Sequence, residues 1–152
     1  MSLSLFKTLS TAVLITLGVL VAQAVQARDT FYMLPFRDVL ALPEAQSRLD
    51  PSIRLYFGNQ LHPEIITRRG GYYIDRKTNS VFKSDEGACR WVALSALINL
   101  QERARAVGAN AVVNIASYYN QRENVDNENY ECHAGNVVAG VALKGDMVTI
   151  SN

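Results

Sequence analysis

The sequence is poor in the residues that most often build reactive centres. Its 152 residues include only two cysteines, two histidines and one tryptophan. A closed zinc site needs about four ligands, and a dithiol redox centre is typically a CxxC pair, which is absent. The sequence also lacks the spacing and the glycine of an EF-hand calcium loop. These absences argue against the commonest metal, redox and calcium centres.

The sequence also lacks an excess of charge of either sign. Fifteen Lys and Arg residues stand against fourteen Asp and Glu residues. General nucleic-acid binders carry a basic excess, and proteins held on anionic membranes carry a polybasic run. Neither is present here. We therefore expect no nucleic-acid partner.

The first 27 residues have the pattern of a secretory signal peptide. Lys7 is a minimal basic region, and an apolar run over residues 12–22 is short for a membrane span of about 20 residues. Val25 and Ala27 occupy the −3 and −1 positions of a cleavage site, so we predict cleavage between Ala27 and Arg28. Cleavage after Ala24 and an uncleaved membrane anchor are the alternatives. The prediction is export to the periplasm, no membrane attachment after cleavage, and a single mature domain over residues 28–152.

Export changes the interpretation of the two cysteines, Cys89 and Cys132. Two cysteines in an oxidising compartment usually pair. In the chain-entropy model, closing the loop between these two would contribute about 4 kcal/mol. We predict a structural disulfide between them.

The strongest secondary-structure signal is one long helix over residues 85–107. Ser84 can cap its start, Asp85 suits the positive end of its dipole, and Gly108 is a natural stop. Apolar residues at spacings of three and four predict a core-facing stripe. The stripe comprises Cys89, Val92, Ala93, Ala96, Leu97, Leu100, Ala104 and Val107.

Shorter apolar segments predict the strands of a sheet. A helical segment over residues 37–50 should be interrupted at Pro43. Residues 64–76 predict two short strands around a turn at Gly70-Gly71, and residues 120–131 predict a long polar loop. Val113 and Ile115 should share one face of their strand. The predicted fold class is α+β, with one long helix on a mainly antiparallel or mixed sheet. The predicted strands span 29–36, 52–58, 109–119 and 136–145.

The Cys132-His133 pair supports two alternative functions. Thiolate and imidazole are good zinc or copper ligands, so a metal site could use Cys132 and His133 with Cys89 or His62. Free thiols could instead support redox or nucleophilic chemistry. Against both, adjacent strand residues point to opposite faces, and Cys89 lies on an apolar helix face. We expect no cofactor and a hydrogen-bonded, structural His133.

Tyrosine is the one abundant residue suited to binding. There are seven, including the pairs Tyr72-Tyr73 and Tyr118-Tyr119. On a strand, each pair should place one ring on each face of the sheet. Exposed tyrosines can anchor proteins, peptides or glycans. These four residues are the candidate binding surface.

Three segments carry a resemblance to known families: "KSDEGAC", "ALINLQERARAVGANAVVNIASYY" and "YECHAGNVVAGVALKGD". Together they resemble a family of small exported proteobacterial proteins of unknown function, often labelled "excinuclease ATPase subunit". The label would require a GxxxxGK[ST] phosphate-binding loop, which the sequence lacks. The helix followed by "VGANAVVN" also resembles YbjQ-like and RcsF-like domains.

The second resemblance implies more than a fold. It implies a heavy-metal role or envelope-stress sensing, and assembly into a homo-oligomer by analogy with pentameric YbjQ-like proteins. The chain lacks a lipidation cysteine after its apolar run, so membrane-tethered signalling does not carry over. Our expectation is a non-enzymatic, disulfide-stabilised periplasmic module for envelope binding or stress. Its partner would be an envelope protein or glycan, and small metal-binding and thiol redox proteins remain the alternatives.

Overall fold

A computed structural model describes residues 27–152 and shows one long helix packed on a curled, mixed sheet. The predicted signal segment, residues 1–26, lies outside the described residues. Within the described residues there are six strands and three helices. The strands are β1 Thr30–Pro35, β2 Arg54–Phe57, β3 Ile65–Asn79, β4 Ala111–Ser117, β5 Asn129–Ala134 and β6 Val138–Ile150. The helices are α1 Phe36–Leu40, α2 Pro43–Arg48 and α3 Asp85–Ala106, and a 3₁₀ turn spans Tyr119–Gln121.

Strand β6 organises the sheet. It pairs with β3 along one side, and with β4 and β5 along the other. Strand β1 extends the sheet beyond β5, and β2 extends it beyond β4. The β2–β4 pair is parallel and every other pair is antiparallel. This confirms the α+β class with a mixed sheet.

Helix α3 forms as its sequence predicts. The Ser84 side chain accepts a hydrogen bond from the Gly87 backbone N–H at 3.1 Å. The predicted stripe from Cys89 to Ala104 is buried, and Val107 is partly buried at the helix end. The stripe packs on the inner face of the sheet, including Ala139, Val141 and Leu143 of β6. No helix in residues 27–152 is long and apolar enough to span a membrane.

Two predictions about the strands were wrong, one at Gly70-Gly71 in β3 and one at Asn114 in β4. Gly70-Gly71 is not a turn: β3 runs through it as one strand with an irregular register between Arg68 and Gly71, and Gly70 has a φ of +100°. In β4, Asn114 has a φ of +54° and the register shifts between Val113 and Ala116. Val113 therefore packs on the opposite side from Ile115, in a small outer cluster.

Two other boundaries also differ from the sequence prediction. The predicted polar loop contains the start of β5, whose residues alternate between the core and the outer face. Strand β6 continues five residues beyond Gly145, to Ile150. The interruption at Pro43 is confirmed, since Pro43 is the first residue of α2.

Gln101 is a buried polar residue that joins α3 to the segment before β2. Its side-chain oxygen accepts from the Asp50 N–H at 2.8 Å, and its Nε2 donates to the carbonyls of Asp50 and Ile53 at 2.9 and 2.7 Å. The residue is only 4% exposed. Buried backbone groups need partners, so this amide fixes the turn that leads into β2.

Replacing Gln101 should therefore destabilise the fold. Gln101→Leu keeps much of the side-chain volume but removes three hydrogen bonds to the backbone, and we expect a loss of about 2 kcal/mol. Urea unfolding followed by circular dichroism measures this. The exposed neighbour variant Glu102→Ala is the control, and an equal effect in both variants would contradict the role of the amide.

Candidate functional site on the outer face of the sheet

The predicted disulfide between Cys89 and Cys132 is present. Cys89 lies in the first turns of α3 and Cys132 lies on β5, with their Cα atoms 6.0 Å apart. Both residues are fully buried. The bridge therefore joins the helix to the inner face of β5, and neither sulfur is a free thiol.

Because side chains alternate along β5, His133 faces away from the helix. It stands in a row of directly opposed residues that crosses four strands. Phe31 of β1 is opposite His133, His133 is opposite Gly140 of β6, and Gly140 is opposite Lys77 of β3. This row is the base of a site on the outer face of the sheet.

Both ring nitrogens of His133 are hydrogen-bonded to carboxylates. Nε2 lies 2.8 Å from Glu131 Oε1, and Nδ1 lies 3.0 Å from Asp29 Oδ1. The two carboxylates therefore fix the orientation of the imidazole ring from both sides. Glu131 is only 6% exposed, and His133 Nε2 is the one side-chain hydrogen-bond partner of its carboxyl among residues 27–152. The pair keeps a buried carboxylate from being isolated.

Aromatic rings enclose His133 on two sides. The Tyr119 ring stacks on the imidazole with centroids 3.6 Å apart and planes 9° apart. Phe31 approaches edge-on at 5.6 Å, and 54% of its surface is exposed. Burial, followed by the nearby Asp29 carboxylate, raises the pKa of the Tyr119 hydroxyl. His133 is thus held in one orientation by rings as well as by carboxylates.

The tyrosine pairs lie differently from one another. Tyr72 and Tyr73 follow the strand alternation: Tyr73 faces outward, and Tyr72 lies on the helix side, where Arg103 is 5.5 Å from its ring centre. The prediction was wrong for Tyr118 and Tyr119, because β4 ends at Ser117 and the chain then enters a 3₁₀ turn. Three of the four tyrosines therefore share the outer face.

Tyr118 extends the aromatic surface towards β3. Its ring lies 5.7 Å from that of Tyr73, and Lys144 Nζ lies 5.3 Å from its centre. Lys144 also donates to Glu123 at 2.6 Å, and this hydrogen bond raises the pKa of the Lys144 ammonium. The outer-face site is defined here as Phe31, Tyr73, Lys77, Tyr118, Tyr119, His133, Gly140 and Lys144.

The centre of this site is a concavity of about 640 Å³. Gly140 has no side chain and leaves the floor open, while Lys77, Tyr119, His133 and the half-exposed Val138 form its walls. An added Cβ at Gly140 would meet only ordinary contacts, 3.6 Å from Lys77 Cγ. The outer face of β6 is therefore partly open at Gly140.

Arg28, at the predicted cleavage site, borders the concavity. Its guanidinium donates to Asp85 at 2.7 Å and to the Gly135 carbonyl at 3.2 Å. Tyr32 also donates to Asp85, and this hydrogen bond, together with Arg28, lowers the pKa of the Asp85 carboxyl. These contacts fix the chain just before β1 against the start of α3.

The four candidate metal ligands are not brought together. Cys89 and Cys132 are bonded to each other, and His133 projects from the opposite face. His62 contacts Tyr56, which packs near Ile65 and Ile150 at the far end of β6 from Gly140. The described residues contain no cluster of three or more His, Cys, Asp or Glu side chains arranged to hold a metal ion.

Sequence reasoning missed the residues that complete the site. Asp29 and Phe31 lie beside His133 only because β1 pairs with β5, and Glu131 lies beside it because the two are two residues apart on β5. The Glu-Cys-His order was the available signal, since residues two apart on a strand share a face. That signal requires β5 to be recognised as a strand.

No family model, curated protein or solved structure matches this chain.

Removing the disulfide should lower the stability of the protein, while the rest of the core remains packed. We expect the Cys89→Ala/Cys132→Ala variant to lose about 2–4 kcal/mol of unfolding free energy, because the unfolded chain gains freedom. Urea unfolding with and without reductant measures this. Reductant should lower the stability of the wild type and leave the variant unchanged, and a wild type insensitive to reductant would contradict the prediction.

Removing His133 should leave the buried Glu131 carboxyl without its hydrogen-bond partner. We expect His133→Ala to cost about 3 kcal/mol, since a buried polar group that loses its partner keeps its full desolvation penalty. Adding Glu131→Gln to that variant should restore part of the loss. Thermal and urea unfolding of the two single variants and the double variant measures the coupling, and strictly additive effects would refute it.

Proposed function

We propose that this protein is an exported, non-enzymatic binding module of the periplasm that recognises an envelope glycan through the outer-face site. The signal-like N-terminal sequence and the buried disulfide support export, because structural disulfides persist in oxidising compartments. The first 27 residues would be removed, leaving Arg28 as the first residue of the mature chain.

The observation that carries the binding proposal is the open floor at Gly140 bordered by aromatic and charged side chains. Tyr119 and Val138 offer apolar surface, and Lys77, Asp29 and Asn136 offer hydrogen-bonding groups around the same concavity. A sugar presents both an apolar ring face and hydroxyl groups. Binding sites commonly combine apolar walls with a few placed polar groups in this way.

The environment of His133 supports binding over catalysis. A general base needs a nitrogen within reach of a substrate proton, and both nitrogens of His133 are already bonded to carboxylates. Its side chain is 14% exposed and is covered by Tyr119. We infer that His133 positions the walls of the site.

The two alternative functions have less support. A metal-binding role would need Cys89 and Cys132 as thiolates, and a redox role would need access to a bridge whose residues are fully buried. From the sequence resemblance alone, we also propose that the protein is related to YbjQ-like and RcsF-like domains. The same resemblance implies a homo-oligomer.

Filling the floor of the site should block glycan binding. Gly140→Val places methyl groups in the concavity while its Cβ meets only ordinary contacts, and we expect binding to purified peptidoglycan sacculi to fall at least about tenfold. Co-sedimentation of the mature protein with sacculi measures this. Lys77→Ala should also weaken binding, by removing one wall.

The matched control is Trp91→Ala, which removes an exposed ring from the helix side of the molecule. It should sediment like the wild type, and melting temperatures should show that all variants are folded. The glycan proposal is wrong if the wild type does not sediment, or if folded Gly140→Val sediments equally well.

A further inference from the structure

Strand β3 has one long edge that pairs with no other strand among residues 27–152. It pairs with β6 only, and α3 covers its inner face through Tyr72 and Ile74. The opposite edge is not covered by another strand of the described chain. An exposed edge of this kind can pair with an added strand.

The hydrogen-bond alternation identifies which groups face outward. The Ser80 N–H donates to the Val137 carbonyl at 2.8 Å, and the pairs from Asn79 to Gly71 continue in the same register. In an antiparallel pair, hydrogen-bonded and non-hydrogen-bonded residues alternate. The even-numbered residues of this stretch therefore bond to β6. The N–H and C=O groups of Tyr73, Asp75 and Lys77 point away from it.

The Tyr118 N–H confirms this alternation independently. It donates to the Ala142 carbonyl at 2.9 Å, on the side of β6 away from β3. Ala142 is the residue opposite Asp75. Ala142 thus turns its carbonyl away from β3, as a non-hydrogen-bonded pair requires.

The available edge is long and regular. Residues 71–79 pair with β6 in nine consecutive steps without a register shift. The irregular register between Arg68 and Gly71 precedes this stretch. It therefore disfavours strand addition only at the residues before Gly71. An added strand of ordinary length would fit beside residues 71–79.

The charges along β3 indicate what kind of strand would pair. Arg68, Arg69, Arg76 and Lys77 are exposed, and none of the four forms an ion pair with the described chain. Against these four cations stands Asp75, so β3 as a whole carries a net charge of +3, of which +1 falls within residues 71–79. A second copy would bring the same positive charge, whereas an acidic segment would be attracted.

We propose that the free edge of β3 binds an extended, acidic segment of a partner protein by strand addition. Main-chain hydrogen bonds to Tyr73, Asp75 and Lys77 would hold the segment, and the cations would select acidic side chains. The edge shares Lys77 with the concavity at Gly140. Strand addition uses main-chain groups of β3, whereas glycan binding uses the open floor at Gly140, so either proposal can fail without the other.

The test uses fluorescence anisotropy with the mature, oxidised protein and a labelled peptide of about nine alternating glutamate and valine residues. We expect saturable binding that weakens with salt. Asp75→Pro removes one outward N–H and keeps the β6 ladder, because proline is tolerated at an edge whose N–H faces solvent. It should weaken binding at least about tenfold relative to Asp75→Ala, which removes the same carboxylate but keeps the N–H.

Further measurements separate strand addition from non-specific charge attraction and from pairing of β3 with a second copy of the chain. Lys77→Glu should weaken peptide binding, while Gly140→Val should not change it. A peptide of equal charge with prolines in place of alternate valines should not bind. Equal binding of that peptide, no binding of the first, or a self-associated state abolished by Asp75→Pro would each overturn the proposal.

Discussion

The bridge between Cys89 and Cys132 is the connection on which the outer-face site depends. Strand β5 pairs with β1 over six residues, but it pairs with the central strand β6 at only two, His133 and Ala134. Such a short ladder holds the β1–β5 ribbon weakly to the rest of the sheet. The bridge fixes the ribbon against α3, whose apolar stripe is packed on the inner face of the sheet.

The same bridge sets which side chains of β5 face outward. A slip of one residue would turn every side chain of a strand to the other face. With Cys132 bonded to the helix, Glu131 and His133 must face away from it, where Asp29 and Tyr119 complete their contacts. The structural cysteine and the outward histidine are therefore consequences of one register. The adjacent residues Cys132 and His133 thus lie on opposite faces of the sheet and have separate structural roles, so their adjacency does not require a shared metal ion.

The parts of the fold that depend on local signals could be predicted from the sequence. Ser84, the three-and-four spacing of apolar residues and Gly108 define α3, and two cysteines leave only one intramolecular pairing. Positive-φ residues were the main cause of error. Gly70 forms an irregularity inside a strand where a turn was expected, and Asn114 changes the face of the residues that follow it. Neither conformation is encoded by a local pattern alone.

The candidate site was harder to predict because its residues meet through long-range pairing. The polar composition before Cys132 concealed the start of β5, and without β5 neither Asp29 nor Phe31 could be placed beside His133. Tyr118 and Tyr119 share a face because the chain leaves β4 at Ser117, a boundary set by the ladder with β6. Residue types suggested a binding surface, and the sheet register determined which of them form it.

The most direct test of this account is an intact-mass and thiol-alkylation measurement on the protein isolated from the periplasm. The protein should be unfolded in denaturant before alkylation, so that burial does not protect a free thiol. The account predicts a chain that begins at Arg28 and takes up no alkylating reagent until a reductant is added, and then takes up two equivalents. Two alkylated cysteines without reductant would contradict it, because the bridge that orients β5 would then be absent from the native protein.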